Sequence, residues 1–329
     1  MATYKGIQGY SVQTLASDPS PVASVEGQLW YNSTSGVYKI AVGGTGAWAS
    51  GGNLNTARWQ AAGDGTQTAA YVVAGNTDAS LQAVYEQYDG SSWTEAADLN
   101  TARRNVGSFG TTTSALTYGG QAPAISGLTE SWNGTAWTEV ANLNATRTGL
   151  GSNGAGVSNT SGLMAGGYAG SPAGNTALCE TWNGTSWTEI ANLNTARQSL
   201  ACRGIATAAI ACGGSVSPKG QTETWNGTSW TEVNNMLTGR DSNGLAGIVT
   251  SALVFGGTPP SGGTAVTALT EKWDATSWTE VADLATARTR VVGAGTAAAA
   301  LAASGGPPAS SSTEEWTSPS YSVKTVTTS

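Results

Sequence analysis

Residues 180–197 read ETWNGTSWTEIANLNTAR. Nearly the same sentence, ESWNGTAWTEVANLNATR, ends at Arg147; ETWNGTSWTEVNNMLTGR ends at Arg240; EKWDATSWTEVADLATAR ends at Arg288. A looser copy, EQYDGSSWTEAADLNTAR, ends at Arg103. A stretch that returns along one chain is a building unit before it is a catalytic motif, and its period decides the fold.

The unit is anchored on Arg58, Arg103, Arg147, Arg197, Arg240 and Arg288, spaced 43 to 50 residues apart. Ten residues before each stands a Trp: Trp48, Trp93, Trp137, Trp187, Trp230 and Trp278. Five of these follow another aromatic by five: Tyr88, Trp132, Trp182, Trp225 and Trp273. After most anchors comes a run of small residues and a double glycine: Gly119-Gly120, Gly166-Gly167, Gly213-Gly214, Gly256-Gly257 and Gly305-Gly306, with Ala74-Gly75 in the first unit. Each unit reads as four short strands. The first follows the Arg (SLACRGIA, 199–206), the second ends at the glycine pair (TSALVFGG, 250–257), the third carries Glu-x-Trp and the fourth Trp-Thr-Glu. Gly63-Asp64-Gly65 reads as a turn between first and second strands. No segment shows a long 3.6-residue apolar period, so no helix is expected. Between Trp182 and Trp187, Asn183-Gly184 tolerates positive φ and closes a tight hairpin. The two indoles then meet across the pair, where aromatic cross-strand contacts stabilise a sheet.

Four strands per unit of this length predict an all-β propeller. The double glycine, Glu, spaced aromatics and Trp resemble the kelch repeat, from about Arg58 to Tyr321. The units depart from that repeat in their Ala and Thr content, in Ala74-Gly75, and in Tyr321 where a Trp is expected. Six Arg-started inner strands favour six four-stranded blades. Trp48 and Tyr321 both qualify as fourth strands, which leaves seven possible. The expected division is an extended N-terminal arm (1–26), a β-hairpin and ring-closing strand (27–48) and the propeller (49–329).

Composition narrows the function classes. Only 11% of the 329 residues are charged, against roughly 25% in ordinary soluble proteins. Thirteen Trp argue against disorder, because they supply burial that disordered chains lack. The net charge is −7 and no basic stretch occurs, so nucleic acid is not an expected partner. No apolar run is long enough to span a bilayer, and the first residues carry no apolar signal-peptide core. Cys179, Cys202 and Cys212 are an odd count and are expected as buried free thiols. Histidine is absent, which removes the commonest general base and a frequent metal ligand. No enzyme activity, metal or cofactor is expected.

The repeated carboxylates Glu86, Glu130, Glu180, Glu223, Glu271 and Glu314 recur once per unit, as do the Arg anchors. An active site is normally asymmetric, so both sets read as structural: each Arg fork bonds a carboxylate or loop carbonyls where blades meet. The alternative is a ring of Arg at the channel mouth that binds an anion. Asn133, Asn183 and Asn226, although in glycosylation-type triplets, read as hairpin turns. Trp30 and Trp59 lie outside the repeat and are candidates for surface contacts. The spacing between aromatics and the link to the next Arg are constant, whereas the loop between second and third strands varies from unit to unit. Irregular loops on one face of a repeat protein mark a candidate binding face. Asp78, Gln121, Tyr168, Lys219, Pro259 and Pro307 represent these loops.

GQLWYNSTSGVYKI (27–40) resembles short β motifs of tail and fibre proteins of tailed phages. The Ala/Thr-rich units with NLNTAR and the ending KTVTTS look like structural proteins of marine and cyanobacterial tailed phages. The resemblance implies a virion component, made in the host cytoplasm. Its arm would bind other virion proteins, and its propeller would be displayed, tail-associated, toward a host-surface glycan or protein. A homo-oligomer would fit virion symmetry. Capsid decoration, an intracellular protein-interaction kelch propeller and a carbohydrate-binding propeller are the alternatives.

Overall fold

The computed structural model describes residues 12–20, 27–43, 46–150, 154–260, 265–319 and 321–326. The described chain is all-β and divides into two compact units, one of residues 1–47 with 318–329 and one of residues 48–317.

The larger unit is a propeller of six four-stranded sheets. Blade 1 runs from Ala62 to Glu95, blade 2 from Gly107 to Val140 and blade 3 from Ala155 to Ile190. Blade 4 runs from Ala201 to Val233 and blade 5 from Gly244 to Val281. Blade 6 takes three strands from Val292–Gly295, Ala299–Ala303 and Thr313–Thr317, and its fourth, Ala47–Ser50, from far upstream. Trp48 is thus the sixth fourth-strand aromatic. The innermost strands adjoin one another around a closed ring, with blade 6 against blade 1. Within blade 1 all three pairs are antiparallel, as a meander requires.

Among the described residues the propeller has no single core. Six apolar clusters each sit in one seam between neighbouring blades; Ala155, Leu163 and Cys179 of blade 3, for example, pack on Cys202, Ala209 and Trp225 of blade 4. The spaced aromatics stand directly opposite each other, Trp132 on Trp137 and Trp182 on Trp187, with ring centroids 5.4 Å apart in both pairs. Their hairpins turn on Asn or Asp followed by Gly. In each, the side-chain oxygen accepts N–H bonds two and three residues on, as Asn183 does from Thr185 and Ser186, both at 2.9 Å. Blade 5 breaks the rule. Ala275 occupies the left-handed position at φ 78° that Gly fills elsewhere. Ala275→Gly should therefore stabilise the chain by about 1 kcal/mol, read as a higher denaturation midpoint.

Fourth-strand indoles reach across the seams. Trp187 Nε1 donates to Thr129 Oγ1 at 3.2 Å, Trp278 to Thr222 at 3.2 Å, Trp93 to Thr313 at 3.0 Å and Trp48 to Thr270 at 3.1 Å. The acceptor position holds Tyr85 in blade 1 and Cys179 in blade 3, so Trp137 and Trp230 lack an oxygen there. The Trp230 indole faces the Cys179 thiol, whose pKa burial pushes up to about 11. Cys179 Sγ donates to Ala177 O at 3.5 Å, as Thr129 Oγ1 donates to Gly127 O. Cys179→Thr would thus keep this bond and add an acceptor. It should gain about 1 kcal/mol, seen as a melting temperature a few degrees higher.

Several readings change. Gly63, Asp64 and Gly65 lie within the innermost strand Ala62–Thr66 and not in a turn. The glycine is needed for close packing, since a Cβ on Gly63 would come within 2.0 Å of Tyr71 O. The paired left-handed residues that end the second strand are Ser304 and Gly305 in blade 6 (φ 60° and 123°), one residue earlier than Gly305-Gly306. Trp30 is 2% exposed and is not a surface contact.

The smaller unit is one sheet ordered Gln13–Leu15, Leu29–Asn32, Val37–Gly43, Tyr321–Thr325, with the first pair parallel. The partly exposed Asp18 carboxylate ties its strands together, accepting from Trp30 Nε1 at 3.3 Å, Asn32 Nδ2 at 2.7 Å and Lys39 Nζ at 2.8 Å. These bonds, Lys39 first, hold its pKa below the usual carboxylate range. Gln13–Leu15, expected as extended arm, is thereby a strand; residues 1–11 and 21–26 of the arm lie outside the described residues. The last strand joins this sheet and not a blade, which places Tyr321 apart from the fourth strands.

Candidate functional site

Each repeated Arg lies buried just before the first strand of its blade and pairs with the repeated Glu on the third. The pairs are Arg58–Glu86, Arg103–Glu130 (3.0 Å), Arg147–Glu180, Arg197–Glu223, Arg240–Glu271 (2.6 Å) and Arg288–Glu314 (3.1 Å). The same carboxylate accepts from the link arriving from the preceding blade. Glu130 Oε2 takes Asn100 N at 2.7 Å and Asn100 Nδ2 at 2.8 Å, and Glu223 takes Asn194 N and Nδ2, both at 2.8 Å. Burial pulls the guanidinium pKa values of Arg58, Arg103 and Arg288 down, and the partner carboxylates oppose it. The constant spacing in the link therefore follows from a clasp that needs a backbone N–H three residues before the Arg, a position held by Asn55, Asn100, Asn144 and Asn194 but by Leu237 and Ala285 in blades 5 and 6.

The axis is occupied by a pair that lies outside the repeat. Arg203, on the innermost strand of blade 4, is 3% exposed. Its Nε donates to Leu245 O at 3.0 Å, Nη1 to Gly154 O at 3.2 Å, and Nη2 to Gly63 O at 2.7 Å and to Gly293 O. Those carbonyls belong to blades 5, 3, 1 and 6. Its counter-charge is Asp64 of blade 1, 3.4 Å away, whose Oδ2 accepts Gly110 N of blade 2 at 3.2 Å. Blades 1 and 4 face each other in a ring of six, so one ion pair crosses the axis and touches every blade. Burial raises the Asp64 pKa, and Arg203 pulls it back.

Above this pair the chain enters each blade through a residue with positive φ, two after the Arg: Gln60, Asn105, Gly149, Ser199, Ser242 and Arg290. Their backbones form hydrogen bonds round the mouth, from Asn105 N to Gln60 O (2.8 Å) to Arg290 N on Ser242 O (2.7 Å), with Leu150 N and not Gly149 N on Asn105 O (3.3 Å). They line a cavity of about 20 Å³. One residue earlier, outside this ring, stand Trp59, Arg104, Thr148, Gln198, Asp241 and Thr289. Arg290 lies over the Trp59 ring, 4.5 Å from its centroid. Trp59, expected to make surface contacts, is half-buried in that stack. Burial lowers the Arg290 pKa; Asp241 opposes this and Arg104 adds to it.

The loops between second and third strands leave the same face, because they start beside the blade entries. Tyr168 bridges Thr148, and Gln121 bridges Arg104 and accepts from its Nη2 at 3.3 Å. Lys219 pairs with Asp241 at 2.6 Å. Exposed Asp78 accepts Ala309 N of the blade 6 loop at 2.9 Å. Pro259 and Pro307 are farther out, the latter in an open groove of about 360 Å³ with Pro308 and Val266. A second groove, about 370 Å³, runs between Lys219 and exposed Leu237. The candidate loop residues thus share one face without converging on one pocket. Reasoning from the repeat missed Arg203, Asp64 and Arg290. Their signal was a charged or polar side chain at a repeat position that is small or apolar in most other copies.

In comparisons with known proteins, no family model matches the chain and no curated protein matches it.

Proposed function

We propose that this chain is a non-enzymatic structural protein of a tailed-phage particle, built on kelch-like repeats, whose propeller contributes to attachment to a host surface. The observation that carries the reading is the contrast between frame and face. The buried Arg–Glu clasps and cross-strand aromatics recur in every blade, while the irregular loops and unrepeated side chains gather on one face. A rigid scaffold that presents variable loops is how binding surfaces are usually made. The second unit, formed from both ends of the chain, is available to join other virion proteins. The buried ionisable groups are engaged in holding blades together, which supports a binding role over a catalytic one.

Immunogold labelling of purified particles tests the setting. Label on the tail is expected. Label on the head would make the protein capsid decoration, and absence from particles would leave an intracellular interaction propeller. Exchange of loop 257–270 for the shorter blade 4 loop should weaken adsorption of the purified protein to host cells. Undiminished adsorption would remove that loop from the binding face.

A further inference from the structure

The sheet of the smaller unit is apolar on both faces. Its strands Leu29–Asn32 and Val37–Gly43 read LWYN and VYKIAVG, without the polar alternation usual in an antiparallel sheet that turns one face to water. Register sorts the side chains. Trp30 stands opposite Gln13 and Lys39, and Asn32 opposite Leu15 and Val37, so these share one face with Ala41. The chain itself covers that face. Asp18 bonds Trp30, Asn32 and Lys39 there, and Trp30 and Ala41 are buried.

The opposite face carries Leu29, Tyr31, Tyr38, Ile40 and Val42. Val12, one residue before Gln13, continues it on one edge strand. Val326, whose N–H donates to Tyr38 O at 2.9 Å, continues it on the other. Val12, Leu29, Tyr38, Val42 and Val326 are each 40% to 50% exposed. They are half of the ten large apolar side chains that are exposed among the described residues, so such surface is concentrated here. Tyr31 and Tyr38 meet on it with ring centroids 5.2 Å apart. A contiguous exposed patch of this kind marks an interaction site.

Its cover has to be flat, apolar and nearly free of charge. Among the described residues the one charged side chain on this face is Lys324, on the edge strand opposite Ile40, and no carboxylate lies there. A second copy of the same face meets these requirements, because a twofold interface is built from one self-complementary patch. Two copies of a chain with net charge −7 then meet without setting carboxylates against each other. Sheets stack about 10 Å apart with their strands nearly aligned. A twofold axis along the strands lays each Lys324 over the opposite edge of the other copy, which keeps the two lysines apart. Four strands of about five residues span roughly 20 by 17 Å. Stacking them buries on the order of 1,000 Å² in total, at the lower limit for a specific pair.

We propose that the chain forms a twofold dimer through this face, the smaller units of two copies packing as a β-sandwich with Tyr38, Ile40 and Val42 at its core. The dimer gives the expected homo-oligomer a place and does not rest on the virion reading.

Sedimentation equilibrium of the full chain tests it. A monomer–dimer equilibrium with a Kd of about 1–100 µM is expected from an interface of this size. Tyr38→Lys sets a charge in the sandwich core, and Tyr38→Thr removes the ring but keeps a residue that favours strands. Each should raise the Kd roughly tenfold or more, since a central tyrosine carries a large share of binding. Tyr38 is half exposed, so the melting temperature of both variants at low concentration should stay within about 2 °C of the parent, which separates lost pairing from lost folding. Ile248→Lys, at a similarly exposed position on the propeller, is the control and should leave the Kd unchanged. A parent chain that stays monomeric at about 300 µM overturns the proposal. So does a trimer, or a dimer that neither Tyr38 variant weakens.

Discussion

An Arg203→Leu variant is expected to melt roughly 10 °C below the parent chain, a loss of about 3–5 kcal/mol. The substitution strips partners from the carbonyls of Gly63, Gly154, Leu245 and Gly293 and leaves the Asp64 carboxylate facing them. Removing one member of a buried pair is costlier than never having the pair, because the surviving charge stays desolvated. The pH dependence follows from the same geometry. Burial already raises the folded-state pKa of Asp64 above 3.8, and Arg203 is the main opposing influence. Without Arg203 the folded-state value rises further. A group whose folded pKa is raised contributes its stability below the unfolded pKa and loses it as pH rises through the folded value. The deficit of the variant should therefore be full at neutral pH and shrink toward about pH 4. Adding Asp64→Asn should recover part of the lost stability at neutral pH. Thermal melts of the parent, Arg203→Leu and the double variant at both pH values check this. A pH-independent deficit would mean that the axial charge is not what the substitution exposes.

Arg197→Gln is the second large effect, again about 3–5 kcal/mol by denaturant unfolding. It leaves Glu223 buried with the Asn194 N–H and Nδ2 donors but no cation. A glutamine is too short to restore the Nη1 contact. The bland expectation for a surface arginine is a change within about half a kcal/mol, so the two views differ severalfold. Combining Arg197→Gln with Glu223→Gln should cost less than the two single losses added together, since neither variant charge then remains buried alone. Full additivity would show that Arg197 acts through packing and not through the carboxylate. An Arg ring that served a ligand would instead give Arg197→Gln a folded, normally stable propeller with weaker anion binding.

Much of this architecture is legible in the chain because repetition is a local property. The period of 43 to 50 residues, the aromatic pairs five apart and the Asn-Gly turns each follow from short-range geometry: strand alternation, hairpin closure and left-handed backbone at glycine. The inner strands could be anticipated from the repeated Arg, and so could a carboxylate as its partner, but not which Glu it takes: each Glu stands at a constant offset from the next Arg, whereas its partner is the preceding one. The Ser304-Gly305 pair is hidden in the sequence because a second glycine, Gly306, follows it, and letters alone do not say which residues end the strand. The Gly63-Asp64-Gly65 strand was misread because glycine marks turns and close backbone approaches equally well.

By itself the sequence determined the number of inner strands, the blade hairpins and the identity of the frame residues. Only the tertiary structure decided what the exceptions do. The source of the sixth blade's last strand depends on ring closure between Ala47–Ser50 and Thr313–Thr317, which no local pattern encodes. Arg203 and Asp64 are far apart in the chain and share no motif; they meet because blades 1 and 4 face each other across the axis. Gln60, Asn105, Gly149, Ser199, Ser242 and Arg290 likewise become neighbours only when six blade entries converge on one mouth.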